Sequence, residues 1–270
     1  MLPVDVLRTL GFTVPHPHLF GYCRDRDIPV MRDPDNGVIF LLRMPPDSAY
    51  ERGHGATSSM TGQDTKRRRG YVDNCDYYGQ SLLDYGCGDG AFVTEIQNVL
   101  LIVDGYDPSM GGTFTALNGS VLTDRLATLR TDYEVITLWH ALEHFRDPIY
   151  ELARIRSLAA PRAQLLVEVP HARSWLLHNC TAQLRASLWS DHLILHTAES
   201  LRRLLLHTGW RVVTLDGVQR YSLRNALSWL TTGKGDGGSG AWTDSDCAWA
   251  AERVNAGDSD TLLCVAEKVE

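Results

Sequence analysis

The strongest constraint on this chain is a glycine-rich turn that follows an apolar strand pattern and precedes a helix pattern. Residues 82–90 read LLDYGCGDG, with glycines at the alternate positions 86, 88 and 90. Glycine allows the backbone to turn tightly and lets a ligand approach the main chain, where a side chain would block it. The spacing is GxGxG and not the GxGxxG of dinucleotide sites. The turn therefore predicts a ligand site of a different kind at the end of a strand.

Two acids stand beside this turn. Asp84 ends the first strand, and its carboxylate suits a ligand that carries an amine better than one that carries a phosphate. Asp107 ends the next predicted strand, about 23 residues further on, where an acid can accept hydrogen bonds from both hydroxyls of a ribose. The glycines and the two acids therefore predict a single ligand site.

From residue 81 onward, β-rich runs alternate with helical patterns, which is typical of βα units around a mostly parallel sheet. The predicted strands are residues 81–85, 101–107, 133–140, 164–170, 210–216 and 261–269, and the predicted helices are 91–99, 148–158 and 198–207. A full set of seven strands requires a third strand between residues 113 and 129, where no pattern places it. We expect an α/β fold with a Rossmann-like, doubly wound, mostly parallel seven-stranded sheet.

Two regions depart from this alternation. Residues 1–70 are rich in proline and glycine, carry one predicted strand at 37–42, and are expected to form a cap or lid on the domain of residues 71–270. Within them, the basic run 66–69 (KRRR) is expected to be an exposed, solvated loop. Residues 217–260 form an insert before the last strand, with an amphipathic segment at 221–230, a flexible KGDGGSG run at 234–240 and a helix at 244–255.

Charge and composition argue against several classes of function. The net charge of −7 disfavours a long electrostatic track along a nucleic-acid backbone. The six cysteines form no CxxC pair, which suits neither a disulfide framework nor a zinc ribbon. No stretch approaches the roughly 18 apolar residues of a membrane span, and the start of the chain has no export signal. We expect a soluble cytoplasmic protein with no nucleic-acid or membrane partner, and a homodimer is left open.

From about Leu82 to its C-terminus, the chain resembles the class I S-adenosylmethionine-dependent methyltransferases. Four segments carry the resemblance in the expected order: LDYGCGDGAF, GYDPS, YEVITLWHALEHFRDP and LLVEVPH. The resemblance implies S-adenosylmethionine as cofactor and S-adenosylhomocysteine as product, with Asp84 and the glycines at the methionine end and Asp107 at the ribose. An acid that contacts adenine is not evident in the third strand, where Asp124 is the candidate. The implied cofactor residues are Asp84, Gly86, Cys87, Gly88, Gly90, Asp107, Pro108 and His140, with Ser109 beside Pro108 on the adenine side.

His140, Glu143 and His144 spell HxxEH, a spacing found in a class of zinc peptidases. Those enzymes carry the motif within a helix, whereas here it follows a β-rich run and is closed by Asp147 and Pro148. We therefore expect no peptidase and no metal, and the alternative is a divalent ion held partly by Glu143 and His144. In the resembled family this segment borders the methyl-donor pocket.

Methyl transfer to a hydroxyl requires that the acceptor be positioned and its proton removed, and histidine suits that proton near neutral pH. His144 and His171 follow the fourth and fifth strands, whose carboxyl ends face the ligand in such sheets, so we predict them as catalytic residues. His192 and His196 are further candidates. A structural role in the core is the alternative for each of the four.

The insert suggests where an acceptor binds. Its sequence VQRYSLRNALSWLTTGKGDGG is similar to a block found in a bacterial methyltransferase subgroup associated with surface-polysaccharide or specialised-metabolite pathways. Arginine can pair with phosphate or carboxylate, and aromatic rings can stack on a sugar or base. The similarity implies these substrate residues: Arg220, Tyr221, Asn225 and Trp229. The alternative is an amphipathic helix that packs on the core.

We therefore expect an enzyme that methylates a small polar acceptor, at oxygen more than at nitrogen or carbon. A sugar, a nucleotide-linked sugar, a phosphate-bearing metabolite or a natural-product intermediate would serve as that small-molecule substrate. The alternative is a methyltransferase of protein or RNA, or a protein that binds S-adenosylmethionine without turnover.

Overall fold

The computed structural model describes residues 1–46, 61–74, 80–98, 100, 102–116, 119–236 and 240–270. Some predictions concern residues outside these ranges. These residues are Val99 of a predicted helix, Leu101 of a predicted strand, 237–239 of the KGDGGSG run and 47–60 of the predicted cap. Within the described ranges, no helix is both long enough and apolar enough to cross a membrane.

Helices and strands alternate along the chain. In chain order they are α1 (Pro3–Thr9), β1 (His18–Tyr22), β2 (Pro29–Arg32), β3 (Ile39–Leu41), α2 (Thr61–Asn74), β4 (Ser81–Tyr85), α3 (Ala91–Ile96), β5 (Ile102–Tyr106), β6 (Thr113–Thr115), β7 (Val121–Thr123), β8 (Tyr133–Trp139), α4 (Pro148–Leu158), β9 (Ala159–Pro170), α5 (Trp175–Asn179), α6 (Thr181–Ser187), β10 (Ile194–Leu195), α7 (Ala198–His207), β11 (Trp210–Val218), α8 (Leu223–Thr232), α9 (Asp244–Ala256) and β12 (Thr261–Lys268). Every strand and helix that the sequence placed is present, with ends that shift by up to five residues.

The central sheet has the strand order β11-β12-β9-β8-β4-β5-β7-β6. Strands β7, β5, β4, β8 and β9 are parallel neighbours, whereas β12 and β11 are antiparallel at one edge and β6 is antiparallel to β7 at the other. The Rossmann-like α/β fold is confirmed, but the described part of this sheet has eight strands rather than seven. The extra strand β6 and the unplaced third strand β7 span three residues each, too few for a periodic pattern.

A smaller antiparallel sheet, in the order β1-β2-β3-β10, joins the N-terminal region to the segment before α7. Its buried residues Ile39 and Phe40 belong to the same hydrophobic cluster as Leu83 and Ile136 of the central sheet. The N-terminal region therefore shares a core with the domain that it was expected to cover. The division at residue 70 stays a prediction, and α2 runs across it.

The basic run 66–69 lies within α2 and is not a loop. The guanidinium groups of Arg67 and Arg68 form ion pairs with Glu168 of β9, whose carboxylate is fully buried. The expectation of a solvated loop is wrong because a carboxylate taken out of water needs a positive partner, and α2 supplies two.

Local caps fix the two helices that follow the central strands. Asp147 accepts a hydrogen bond from the Tyr150 N–H at 3.0 Å, and Pro148 takes the first position of α4. Thr197 caps α7, and the chain leaves that helix through Gly209 at φ +82°. These caps fix the end of the loop after β8 and the end of the loop before α7. Both loops contribute residues to the candidate active site.

Candidate active site

The glycine turn connects β4 to α3 at the carboxyl edge of the parallel strands. Gly86 has φ +90°, and a Cβ there would lie 2.6 Å from the Cβ of Ala141, so no side chain fits. Gly88 has φ +56°, and a Cβ there would meet no described atom within 4 Å. The turn therefore packs tightly at one glycine and borders open space at the next, as a backbone cradle for a ligand requires.

Asp107 lies directly beside this turn. Its Oδ2 accepts a hydrogen bond from the N–H of Gly88 at 3.0 Å. Its Oδ1 accepts from the N–H and the hydroxyl of Ser109 at 2.8 and 2.6 Å, with Pro108 between the two residues. The second acid and the glycine turn are therefore in direct contact.

Cys87 offers its backbone, not its side chain, to this site. Its Sγ packs under β5, where a Cβ at Gly105 would lie 2.9 Å from it. Burial raises the pKa of the Cys87 thiol, so the side chain stays protonated and neutral. A cofactor contact at Cys87 would involve main-chain atoms.

Asp84 is buried at the end of β4, where its Oδ1 accepts a hydrogen bond from the hydroxyl of Thr137 at 2.7 Å. Burial raises the pKa of this carboxyl to about 7, against the opposing effects of Thr137 and of the positive charge of Arg68. A cationic group placed beside Asp84 would favour its ionised form. Its environment therefore suits the amine of a ligand.

Asp124 follows β7 on the other side of the turn. Its Oδ1 is buried and has no hydrogen-bond partner among the described residues. A buried acceptor is unfavourable until a donor reaches it, and an adenine amino group is such a donor. The assignment of Asp124 to adenine stays a prediction, and the geometry is compatible with it.

The HxxEH segment is not a helix. Strand β8 ends at Trp139, and the chain turns at His140 with φ +55°, a conformation that is uncommon for residues other than glycine. Residues Leu142–His144 then form a short 3-10 turn. The two histidines therefore do not share the face of an α-helix, and the arrangement of a zinc peptidase is excluded.

An ion-pair network occupies the space beyond His140, and its centre is Glu168. Arg67 and Arg68 both donate to the Glu168 carboxylate, with Arg68 Nη2 at 2.9 Å, and His140 Nε2 lies 3.2 Å from the same oxygen. Burial alone would raise the pKa of Glu168. The hydrogen bond from His140 and the charges of Arg68 and Arg67 outweigh burial and hold that pKa well below its ordinary value.

The same network reaches the insert through Arg220. The Arg220 guanidinium pairs with Asp64 of α2, with Nε to Oδ1 at 3.0 Å, and its Nη1 lies 2.8 Å from His140 Nε2. The backbone N–H groups of Arg220 and Tyr221 donate to the carboxylate of Asp260. Side chains from α2, the end of β8, β9 and the insert therefore meet at one place, which we call the acceptor end of the site.

The comparisons with known proteins agree with this geometry. The profile of a family described as a methyltransferase domain matches residues 60–215, more than half of the 270-residue chain. The chain belongs to this family. The matched segment begins one residue before α2 and includes the glycine turn, the HxxEH segment and His171, but it ends before the insert.

Solved structures of low sequence identity share the fold of this methyltransferase. A chain of the complex between the Haloferax volcanii Trm112 methyltransferase activator and a candidate methyltransferase is 14% identical, with a TM-score of 0.51 over 81% of this chain and 99% of that one. A SAM-dependent methyltransferase from Archaeoglobus fulgidus is 17% identical, with a TM-score of 0.51 over 77% of this chain and 94% of that one. No curated protein sequence matches the chain. S-adenosylmethionine is the cofactor, and the open cradle at Gly88 fits it.

The four candidate histidines of this methyltransferase differ in their surroundings. His171 and His196 are buried, and burial lowers the pKa of each to about 4. His171 Nδ1 lies 3.0 Å from the Ser259 carbonyl, and His196 Nδ1 lies 3.1 Å from the Ser200 hydroxyl. His144 and His192 are partly exposed neighbours, with ring centroids 5.0 Å apart, and burial lowers the pKa of His192.

The predicted substrate residues fall into two groups. Arg220 reaches the acceptor end, and Tyr221 lines a cavity of about 20 Å³, room for about one water molecule. Asn225 donates to Asp236 at 2.8 Å, and Trp229 packs with the buried cluster that includes Cys180. The last two side chains therefore make contacts that a purely structural helix also needs, and their substrate role stays a prediction.

Sequence reasoning missed four residues of the acceptor end: Asp64, Arg67, Arg68 and Glu168. One signal pointed to them. Glu168 is the single charged residue in the apolar strand sequence LLVEVP, and a charge in a strand that is buried on both faces requires a counter-charge from elsewhere. The basic run 66–69 was the available source of that charge.

Proposed function

We propose that this enzyme transfers the methyl group of S-adenosylmethionine to an oxygen atom of a small polar acceptor. The observation that carries the proposal is the position of α2. Two ion pairs, from Arg67 and Arg68 to the fully buried Glu168, tie this helix to the carboxyl end of β9, near the glycine turn. A site covered in this way favours an acceptor that enters it over a polymer that lies across it.

The charges at the acceptor end support a polar acceptor. Arg220, Arg67 and Arg68 bring three guanidinium groups together, and Asp64 and Glu168 orient them. A guanidinium fork can bind a phosphate, a carboxylate or a pair of sugar hydroxyls. The similarity of the insert to the bacterial polysaccharide and specialised-metabolite subgroup is a second, independent basis for this class of acceptor.

S-adenosylmethionine supplies a methyl group on a positively charged sulfur, so the chain mainly has to hold the acceptor oxygen in line and deal with its proton. The new bond joins that oxygen to the methyl carbon, the carbon–sulfur bond breaks, and S-adenosylhomocysteine remains. His144 is better placed than His171 for the acceptor oxygen. It is partly exposed and adjoins Glu143, which contacts His140, whereas burial makes His171 a weak base.

The test is to incubate the purified enzyme with methyl-labelled S-adenosylmethionine and a soluble extract of its host, and to separate products of low and high mass. Label in the low-mass fraction, absent with an Asp107→Ala variant, is the expected result. Label confined to protein or RNA would contradict the small acceptor and favour a modifier of macromolecules. The native mass of the complex that the enzyme forms in that extract also tests for partners. A second copy of the chain, or an activator like the one in the Haloferax complex, would each raise that mass.

A further inference from the structure

We propose that Glu143, His144 and His192 form a binding site for one divalent transition-metal ion beside the acceptor end. Each of the three offers one ligand atom, and these atoms lie within 4.8 Å of one another. Two imidazoles and a carboxylate suit Zn²⁺, Mn²⁺ or Fe²⁺, whereas Mg²⁺ and Ca²⁺ prefer oxygen ligands alone. The sequence predicts a metal-free site and did not pair His192 with the HxxEH segment, because 48 positions separate it from His144.

The hydrogen bonds of the two histidines orient them as metal ligands. His144 Nδ1 lies 2.9 Å from the carbonyl oxygen of Asp191, and His192 Nδ1 lies 3.3 Å from that of Ser187. A carbonyl can only accept, so each Nδ1 carries a proton, and in the neutral ring each Nε2 keeps its lone pair. A ring that donates to a carbonyl from one nitrogen and binds an ion with the other is the usual arrangement of metal-binding histidine.

Glu143 supplies the independent observation. Its carboxylate is 1% exposed, and its Oε1 lies 3.2 Å from His140 Nδ1. Its Oε2 is buried and has no hydrogen-bond partner within the described ranges of the chain. A buried carboxylate oxygen without a partner is unfavourable, and a cation bound between Glu143 and the two imidazoles would satisfy it.

The backbone holds the two ligand segments together. The N–H of Leu193 donates to the carbonyl oxygen of Glu143 at 2.8 Å, which ties the loop before β10 to the turn after β8. Ligand atoms at about 2.0 to 2.2 Å from a tetrahedral Zn²⁺ lie about 3.3 to 3.6 Å apart, so side-chain movements on the order of 1 Å would close the site. Three protein ligands would leave a coordination position open, as in catalytic zinc sites.

That open position has a consequence that rests on the proposed function. An acceptor hydroxyl bound there would lose its proton more easily, because a divalent ion lowers the pKa of a bound hydroxyl. His144 would then act as a ligand and not as the proton acceptor. Binding of the ion itself does not depend on this step or on methyl transfer.

The experiment uses the full chain without an affinity tag, stripped with a chelator and titrated with Zn²⁺ by calorimetry and with Co²⁺ by visible absorption. We expect one ion per chain and a Co²⁺ spectrum typical of nitrogen and oxygen ligands. Glu143→Gln and His192→Ala should each weaken binding by about 10-fold or more. His207→Ala, which removes an exposed histidine at the end of α7, should bind like the wild type.

Absence of stoichiometric binding to the wild-type chain would overturn the proposal, whatever the variants do. Unchanged binding by Glu143→Gln would overturn it as well. Binding of S-adenosylmethionine by each variant shows that it is folded. Metal binding without any methyl transfer would contradict only the proposed function, and methyl transfer that survives complete metal removal would contradict only the role of the ion in the reaction.

Discussion

The cofactor end and the acceptor end of this site are built in different ways. The cofactor end consists mainly of backbone: the turn packs tightly at Gly86 and borders open space at Gly88, and Asp107 is held by local hydrogen bonds. The acceptor end consists of long charged side chains, in which Glu168 and Asp64 form ion pairs with three guanidinium groups. One end is therefore a preformed backbone cradle for a constant ligand. The other is a rigid charged frame, whose stability depends on each of its ion pairs.

The largest expected effect breaks the frame. Glu168→Gln removes the central negative charge and leaves Arg67 with Asp64 as its remaining ion-pair partner, and losing one member of a buried pair costs about 3 to 5 kcal/mol. Denaturant unfolding measures this change in the free energy of unfolding. The matched control is Glu199→Gln, which removes an exposed ion pair with Arg203 and should cost less than about 1 kcal/mol.

Acid should have the same effect as this substitution. The folded-state pKa of Glu168 lies below its ordinary value, so its contribution to stability is complete above that ordinary value and is lost as the pH falls toward the lowered pKa. The difference in stability between the wild type and Glu168→Gln should therefore shrink in acid. A difference that stays constant from pH 7 to pH 3 would show that the buried charge is not what stabilises the frame.

The cofactor end should show the opposite pH dependence at Asp84. Burial raises its folded-state pKa to about 7, so the free enzyme loses stability as the pH rises from the unfolded value through about 7. Asp84→Asn removes this loss and still accepts from Thr137. At pH 8 it should be up to about 4 kcal/mol more stable than the wild type, because the pKa of Asp84 is raised from 3.8 to about 7 and each pKa unit corresponds to about 1.4 kcal/mol. Thermal unfolding of both proteins measures this difference. A difference in stability between the two proteins that is the same at pH 5 and pH 8 would contradict the role of the buried Asp84 charge.

The smallest expected effect on folding is at Gly88. Gly88→Ala costs about 1 to 2 kcal/mol from its left-handed backbone, because the added Cβ meets no described atom within 4 Å. The same Cβ would enter the cradle, so the affinity for S-adenosylmethionine should fall by about 10-fold or more, measured by calorimetry. Gly86→Ala is the counterpart, because its Cβ would clash with Ala141 and should impair folding first. Similar losses of stability in both variants would show that the two glycines have the same role.

The sequence was sufficient for most of the fold and for the contact between the glycine turn and its neighbouring acid, whereas the role of these residues toward the cofactor stays a prediction. The strand, the acid and the glycines of the turn are contiguous, and β4, β5, β8 and β9 each carry enough apolar residues for a pattern. The short strands β6 and β7 had too few residues. In the folded chain, β7 pairs with the free edge of β5, and β6 pairs with β7.

The acceptor end could not be assembled from the sequence because its residues are distant from one another. Asp64 and Arg220 are 156 positions apart, and only the path of α2 across the sheet brings them together. The basic run 66–69 has the composition of a solvated segment, and its partner Glu168 lies on a different element. Long-range ion pairs of this kind leave no periodic signal in the sequence.

The most direct test of the central claim is a calorimetric titration of S-adenosylmethionine into the wild type, Asp107→Ala and Asp89→Ala. Asp89 is an exposed acid of the same turn and serves as the matched control. We expect one bound cofactor per wild-type chain, an unchanged affinity for Asp89→Ala, and a loss of about 100-fold or more for Asp107→Ala, which corresponds to about 2.8 kcal/mol. Wild-type affinity in folded Asp107→Ala would contradict the assignment of the cofactor site.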